Sequence, residues 1–389
     1  MKRIAVVAAA AVVGGATAAP APVANYWIDV ATASGMGAGM MGGGGRPDMG
    51  QIMSMMNGGG GAAQHTLNLY LASKQKAAAP QAQHLIPPGL QMGPSLPLIA
   101  PAVAKPVRET YGAPGELQRP KGRMLIYWGC GEHTGAGQPT VIDFSKIAPG
   151  QMPPGYSAMI AAVKAAQPPR PGQSASYGEW PNQRDSRPVP SNASLIGAHK
   201  VEGNYTPAIA FSLAQGQDFM PGLGLRSAGA LPSGANRLTW TPASQATGYA
   251  LSMFGSSGGS DMIIWSSGNK ASAFPNMDYL TPAQVKGLVA SGAVLAPSTN
   301  QCTIPAEVVR ASPTGMVMMI GYGPEAHFSD KPKSPTWTVR ARYKSTASLM
   351  LGMESMYGDS DSAQPQQQQQ PKKKKRGFGL GDLIQAVPH

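Results

Sequence analysis

Glycine and proline interrupt this chain at short intervals, and that punctuation limits the folds open to it. With 49 glycines and 37 prolines among 389 residues, long helices are disfavoured, because proline breaks a helix and glycine weakens one. Charged residues make up only 13% of the chain, about half of the usual share of roughly 25%. Helical bundles need more Glu and Lys than this on their exposed faces. We therefore predict a mainly β fold, with short strands joined by many turns.

The first residues have the three parts of a secretory signal peptide. Lys2 and Arg3 precede an apolar run from Ile4 to Val13, and small residues follow at 16–18. The apolar run is shorter than the ~20 residues that a membrane-spanning helix needs. The sequence therefore predicts a signal peptide at residues 1–18, export to a periplasmic or cell-envelope location, and a mature chain without a transmembrane span.

Residues 25–225 are predicted to form an N-terminal β-domain. In the stretch QHTLNLYLAS, Leu67, Leu69 and Leu71 occupy every second position, as expected of a strand with one face in a core. Residues 25–33 alternate in the same way. A loop rich in Gly and Met, residues 34–63, separates these two predicted strands.

Residues 228–350 are predicted to form a second β-domain. The stretches NRLTWTPASQATGYALSMFG and SDMIIWSSG place Trp240, Tyr249 and Trp265 on strands, where their rings can fill a small two-sheet core. This pattern resembles the fibronectin type III-like β-sandwich of exported bacterial proteins, and the whole chain resembles proteins of that exported class. We therefore predict two β-sandwich-like domains, and the resemblance implies that the second serves as a spacer or binding module.

One segment of the second domain departs from the fibronectin type III pattern, because it predicts a helix. In LTPAQVKGLVASGAVL, Thr281 is suited to the N-cap, Pro282 to the first turn and Gly292 to the end. Val285, Leu288 and Val289 would form its buried stripe. The predicted fold is therefore a sandwich with one inserted helix.

The C-terminal segment 357–389 is predicted to be a disordered tail, because its polar and glutamine-rich composition cannot form a core. Its basic cluster contributes five charges to a formal net charge of +12. A flexible tether carrying such a cluster is typical of a tail that docks on an anionic surface. We expect an anionic envelope surface or another envelope protein as the partner, and no nucleic acid. The docking residues are Lys372, Lys373, Lys374, Lys375 and Arg376.

The stretch YWGCGEHTG, residues 127–135, contains the strongest candidate for catalysis. Cys130 would be the nucleophile of a hydrolase or transferase, with His133 or His199 as its base. Nucleophile and base usually come from distant segments, and a strand that ends in a glycine turn explains the same residues. We therefore expect a protein without catalytic residues and keep the cysteine-dependent enzyme as the alternative.

The second cysteine, Cys302, offers a different role for Cys130. An even number of cysteines in an exported protein suggests a disulfide, and two cysteines permit one intramolecular pair. Two free, buried thiols are the alternative. A bridge between Cys130 and Cys302 would connect the two predicted domains.

The tryptophans and histidines are the remaining candidates for a site. Exposed Trp128 or Trp180 could serve as a platform for a carbohydrate, which makes sugar binding a second alternative function. The histidines are spread too widely to show a metal-ligand spacing. We therefore expect no metal or other cofactor, and a structural or binding role in the cell envelope.

Overall fold

The computed structural model describes residues 21–35, 63–101, 122–146, 164–271 and 278–352. The predicted signal peptide, nearly all of the loop 34–63 and the tail 357–389, with its basic cluster, lie outside the described residues. Among the described residues, strands dominate, and the prediction of a mainly β fold is confirmed. Within the same residues, no helix is both long and apolar enough to cross a membrane.

The strands and helices follow one another in short succession. In chain order the strands are β1 (Ala24–Gly35), β2 (Gln64–Ser73), β3 (Ala82–Leu85), β4 (Ser95–Leu98), β5 (Arg123–Trp128), β6 (Thr140–Asp143), β7 (Ser176–Trp180), β8 (Gly197–Gly203), β9 (Ile209–Leu213), β10 (Arg226–Ala230), β11 (Asn236–Thr239), β12 (Gly248–Ser256), β13 (Met262–Ser266), β14 (Gln301–Ile304), β15 (Gly315–Ser329) and β16 (Trp337–Leu351). The α-helices are α1 (Pro282–Ala290) and α2 (Ala306–Ala311), and single 3-10 turns lie at Pro88–Leu90 and Phe144–Lys146.

The strands form three sheets. A central nine-stranded sheet has the order β6-β5-β13-β12-β15-β16-β1-β2-β7, a four-stranded sheet has the order β4-β3-β8-β9, and a three-stranded sheet has the order β10-β11-β14. The central sheet contains strands from both predicted domain ranges, since β1 pairs in parallel with β16 and β5 with β13. The division of the chain at residues 225–228 and the fibronectin type III resemblance stay predictions.

The main core contains buried side chains of all three sheets. Leu67, Leu69 and Leu71 are buried, as their alternation predicted, and they lie in one cluster with the core-facing side chains of β1 and β16. Trp240, Tyr249 and Trp265 are buried in the same cluster, which confirms their predicted role as core residues. Alternate residues of β1 and β16 face the opposite side of the sheet, where the charged groups described below lie.

Helix α1 covers part of this opposite face. Val285 is fully buried against β12 and β15, and Leu288 and Val289 pack at the edge of the same cluster. Thr281 forms a capping box with Gln284, in which the side-chain oxygen of each residue accepts a hydrogen bond from the backbone amide of the other. Gly292, with φ +74°, lies just after the helix end, a conformation that favours glycine. The predicted helix and its caps are confirmed.

Removing the capping hydroxyl tests how much α1 depends on it. Thr281→Ala should lower the free energy of unfolding by about 1 kcal/mol, because the Gln284 amide loses its acceptor. Thr281→Ser keeps the oxygen and should remain close to wild type. Urea denaturation of the three proteins measures the difference, and equal midpoints for all three would show that the cap contributes nothing.

Candidate functional site

The stretch 127–135 forms a turn that is docked against β14 and α2. Strand β5 ends at Trp128, and Gly129 follows with φ +92°. The Gly131 amide donates to the Thr303 carbonyl at 2.9 Å, and the Ala306 amide donates to the Glu132 carbonyl at 2.9 Å. The glycines therefore end a strand and bring its turn against a distant segment.

A disulfide joins this turn to β14. Cys130 and Cys302 are bonded to each other, with 5.2 Å between their Cα atoms, which lies within the usual range for a bridge. Cys302 is 3% exposed and sits on the core side of β14. In this state neither sulfur carries a proton or a thiolate charge, so Cys130 cannot act as a nucleophile.

The residues of the alternative catalytic site make separate contacts. His133 Nδ1 lies 3.0 Å from Glu307 Oε1 at an exposed position, and the hydrogen bond from His133 lowers the pKa of Glu307. His199 is buried and hydrogen-bonded to His84 and to the Leu195 carbonyl. Among these contacts there is no pairing of either histidine with the Cys130 sulfur.

The tryptophans proposed as a sugar platform differ in exposure. Trp180 is 2% exposed and packs in the main core, so the expectation of an exposed ring is corrected. The physical reason is that the Trp180 ring lies on the face of β7 that packs in the main core cluster, while β2 and the Ile99–Glu179 bridge are the in-plane neighbours of the strand. Trp128 is half-buried at the end of β5.

Metal-ligating side chains do not converge in the described part of the chain. No group of three or more His, Cys, Asp or Glu residues there could hold a metal ion. Asp218 accepts hydrogen bonds from Ser194 and the Leu195 amide, and Glu202 pairs with Lys200 at 2.7 Å. The partners of Asp218 thus lie in another loop, 24 and 23 residues earlier, and the partner of Glu202 lies in its own strand.

A buried chain of hydrogen bonds connects the central and four-stranded sheets. Tyr26 Oη lies 2.9 Å from His84 Nδ1, and His84 Nε2 lies 3.0 Å from His199 Nδ1. His199 Nε2 lies 2.6 Å from the Leu195 carbonyl oxygen. We call the side chains of Tyr26, His84 and His199 the histidine chain.

The partners of the histidine chain fix its hydrogens. A carbonyl oxygen can only accept, so Nε2 of neutral His199 carries the hydrogen and its Nδ1 is an acceptor. His84 Nε2 must therefore donate to His199, which leaves Nδ1 of His84 to accept from the Tyr26 hydroxyl. Both imidazoles are assigned as neutral Nε2–H tautomers, by their partners.

An open pocket lies beside one end of the histidine chain. It has a volume of about 410 Å³ and is formed by β8, β9 and the end of β3. His199 and Phe211 both line it, and their rings stack with centroids 5.0 Å apart. Solvent in the pocket is therefore adjacent to His199, at one end of the histidine chain.

The opposite face of the central sheet carries a ladder of cations and aromatic rings. The guanidinium groups of Arg340 and Arg342 lie 4.7 and 4.8 Å from the centre of the Trp27 ring. Arg342 and Lys344 lie 4.6 and 4.3 Å from the centre of the Tyr279 ring. We call these five residues the cation–π ladder. Such contacts stabilise a fold when the cation is withdrawn from water.

Carboxylates balance the charge of the cation–π ladder. Asp29 accepts two hydrogen bonds from Arg342, at 2.7 and 2.5 Å, and Glu325 accepts one from Arg340 at 2.7 Å. Arg342 is 1% exposed and Asp29 4%. Burial alone would lower the pKa of Arg342, but the hydrogen bonds and charge of Asp29 raise it overall. Asp29 and Arg342 therefore form a buried ion pair that is fully hydrogen-bonded, and its role is structural.

Neither cluster was predicted from the sequence. The three cations of β16 at every second position signalled a charged face, and Asp29 is the one acid in β1. Their meeting depends on the register of β1 with β16, which aligns Asp29 with Arg342 across 313 positions of sequence. His84 and His199 meet in the same way, through the pairing of β3 with β8. A pattern within one strand carries no information about such partners.

No protein family, no curated protein and no solved structure matched this chain. Functional inference therefore depends on the residues and contacts described above.

Proposed function

We propose that this chain is an exported, non-enzymatic protein of the cell envelope, with a structural or binding role, that docks on an anionic surface through its basic tail. The observation that carries the proposal is the disulfide between Cys130 and Cys302. Disulfides form and persist in oxidising compartments and are rare in reducing ones. An oxidising location fits the signal-peptide pattern at residues 1–18.

The same disulfide argues against the cysteine-dependent enzyme. It engages both cysteines of the chain, and the sequence has two. The candidate bases support this reading, since His133 pairs with Glu307 and the neutral His199 donates to a carbonyl and accepts from His84. A general base needs a substrate or nucleophile within hydrogen-bond reach, and these nitrogens are engaged elsewhere.

The binding element in this proposal is the cluster Lys372–Arg376. Basic residues near an anionic membrane contribute about 1 kcal/mol each, and salt weakens the attraction within a Debye length of ~10 Å at 0.1 M. Among the described residues, several basic side chains are paired with acids, such as Arg123 with Asp261 and Lys200 with Glu202, whereas the tail places five basic residues in succession. The tail is therefore the part of the chain best suited to reach a surface.

Neutralising the cluster tests the docking role. We expect the full chain, isolated from a bacterial host, to sediment with vesicles containing anionic phosphatidylglycerol at low ionic strength. It should be released in about 0.5 M salt, because salt screens the electrostatic attraction. A variant with Gln at all five positions should stay in the supernatant. A variant with Arg at the four lysine positions keeps the charge and should bind like wild type.

Two results would contradict the proposal. Sedimentation of the Gln variant together with wild type would show that the cluster does not dock. Recovery of the chain in the cytoplasm of its host, with residues 1–18 intact and both cysteines open to alkylation, would overturn the proposed export.

A further inference from the structure

The histidine chain joins two sheets through groups that are withdrawn from water. Tyr26 belongs to β1 of the central sheet, whereas His84 and His199 belong to β3 and β8 of the four-stranded sheet. Tyr26 and His84 are fully buried, and His199 is 2% exposed. Buried polar rings are tolerated when their nitrogens have hydrogen-bond partners. The contact between the two sheets therefore depends on which atom donates and which accepts in each hydrogen bond of the histidine chain.

One proton added to the histidine chain disrupts this pattern of donors and acceptors. If Nδ1 of His199 takes up a proton from solvent, it becomes a donor, and His84 Nε2 must accept from it. The hydrogen of His84 then moves to Nδ1, which must donate to the Tyr26 oxygen. Within the described residues, His84 is the hydrogen-bond partner of the Tyr26 hydroxyl, so the hydroxyl hydrogen loses its acceptor. The result is an unpaired donor and a positive charge in the interior, both of which are costly.

Within the described residues, no carboxylate is hydrogen-bonded to either imidazole, so none neutralises this charge. The groups packed on the chain are the aromatic rings of Phe211, which contacts all three members, and Phe328, which contacts Phe211. Tyr205 is the titratable group that acts on Tyr26. Lys200 and Glu202, the charged residues of β8, pair with each other at the surface.

The physical properties of the two rings agree with this geometry. Burial lowers the pKa of His84 well below its ordinary value of 6.5, and the neighbouring His199 lowers it further. Burial also lowers the pKa of His199, although the hydrogen bond to the Leu195 carbonyl opposes the change. Both rings therefore stay neutral in the folded protein at a pH where exposed histidines take up protons.

We propose that the histidine chain is an acid-sensitive switch, which holds the four-stranded sheet against the central sheet at neutral pH and releases it when the chain is protonated. The pocket beside His199 lets solvent reach the end where protonation starts. Phe211 of β9 contacts both Tyr26 and Phe328 of the central sheet, so the released contact includes this aromatic packing.

The sign of the pH dependence follows from the two states. Unfolded histidines take up protons as the pH falls through about 6.5, whereas the folded pair does not until a lower pH. The stability that the neutral pair provides is complete above this range and is lost as the pH falls towards the folded pKa values. In that window the folding equilibrium constant should fall up to tenfold per pH unit for each histidine.

The titration of the wild-type protein provides the first test. ¹⁵N NMR of the imidazoles of His84 and His199 should show two Nε2–H tautomers that stay neutral through pH 6, below the ordinary histidine pKa of about 6.5. Protonation of His84 and His199 at the ordinary histidine pKa of about 6.5 would overturn the proposal. This measurement needs no variant, so it decides the matter even if substitutions in the core prevent folding.

Hydrogen exchange locates the release. Between pH 7 and pH 5, with intrinsic exchange rates corrected, β3, β8 and β9 should lose protection before β15 and β16. The double variant His84→Gln/His199→Gln cannot be protonated and should lose this early step, whereas His133→Gln and His327→Gln should keep it. His65, half-buried against Phe219 in another part of the core, is the matched control. The assignment would be overturned if His65→Gln abolished the early loss of protection. It would also be overturned if that early loss persisted in the double variant.

Discussion

Removing the disulfide should lower the free energy of unfolding by about 3–5 kcal/mol. The bridge connects residues 172 positions apart, and in the chain-entropy account a closed loop of that length restricts the unfolded state by about 5 kcal/mol. Residual structure in the unfolded chain reduces this value. The double variant Cys130→Ser/Cys302→Ala keeps the exposed turn polar and the buried position apolar. Its guanidinium midpoint, compared with that of wild type, measures the effect.

Two comparisons separate the loop closure from the packing of the side chains. Wild-type protein treated with a reductant keeps both sulfur atoms, so its stability should fall by nearly as much as that of the double variant. Full stability of both the double variant and the reduced wild type would show that the turn is held by its backbone hydrogen bonds with Thr303 and Ala306 alone. The effect should be the same at low and high salt, because no charge is involved.

The features that the sequence predicted are local ones. The leucines of β2 are buried at every second position, and the helix begins at Thr281 and is closed by Gly292, because alternation, caps and positive φ are properties of neighbouring residues. The single pairing open to two cysteines is the pairing in the structure.

The features that the sequence did not predict depend on strand pairing. Whether Trp180 is exposed depends on what packs on its face of β7, and that face lies in the main core cluster. Alternation within β16 puts Arg342 on the polar face of the strand, yet it is 1% exposed because Tyr279 and the Ala166 carbonyl cover it. Alternation assigns a side chain to a face of the sheet, and tertiary contacts decide whether that face meets water.

Breaking the buried ion pair between Asp29 and Arg342 should also lower the free energy of unfolding strongly. Asp29→Ala leaves the Arg342 guanidinium in the interior without its two strongest acceptors, and such an uncompensated charge costs about 3–5 kcal/mol. Arg342→Met should cost a comparable amount, because Asp29 then loses both of its charge-assisted hydrogen bonds. Thermal and urea unfolding of each single variant measure these losses.

The double variant Asp29→Leu/Arg342→Met distinguishes attraction from desolvation. Much of the cost of each single change is the burial of a charge left alone, so removing both charges should restore a large part of the stability. The exposed pair Arg123–Asp261, with 53% of the arginine side chain accessible, is the matched control, and Asp261→Ala should change stability far less because water screens it. The contrary outcome is a double variant whose loss of stability equals the sum of the two single losses. In that case the cation–π ladder is stabilised by Arg342 stacking on Trp27 and Tyr279 rather than by the ion pair. If either single variant is as stable as wild type, this face of the sheet admits enough water to solvate the remaining charge.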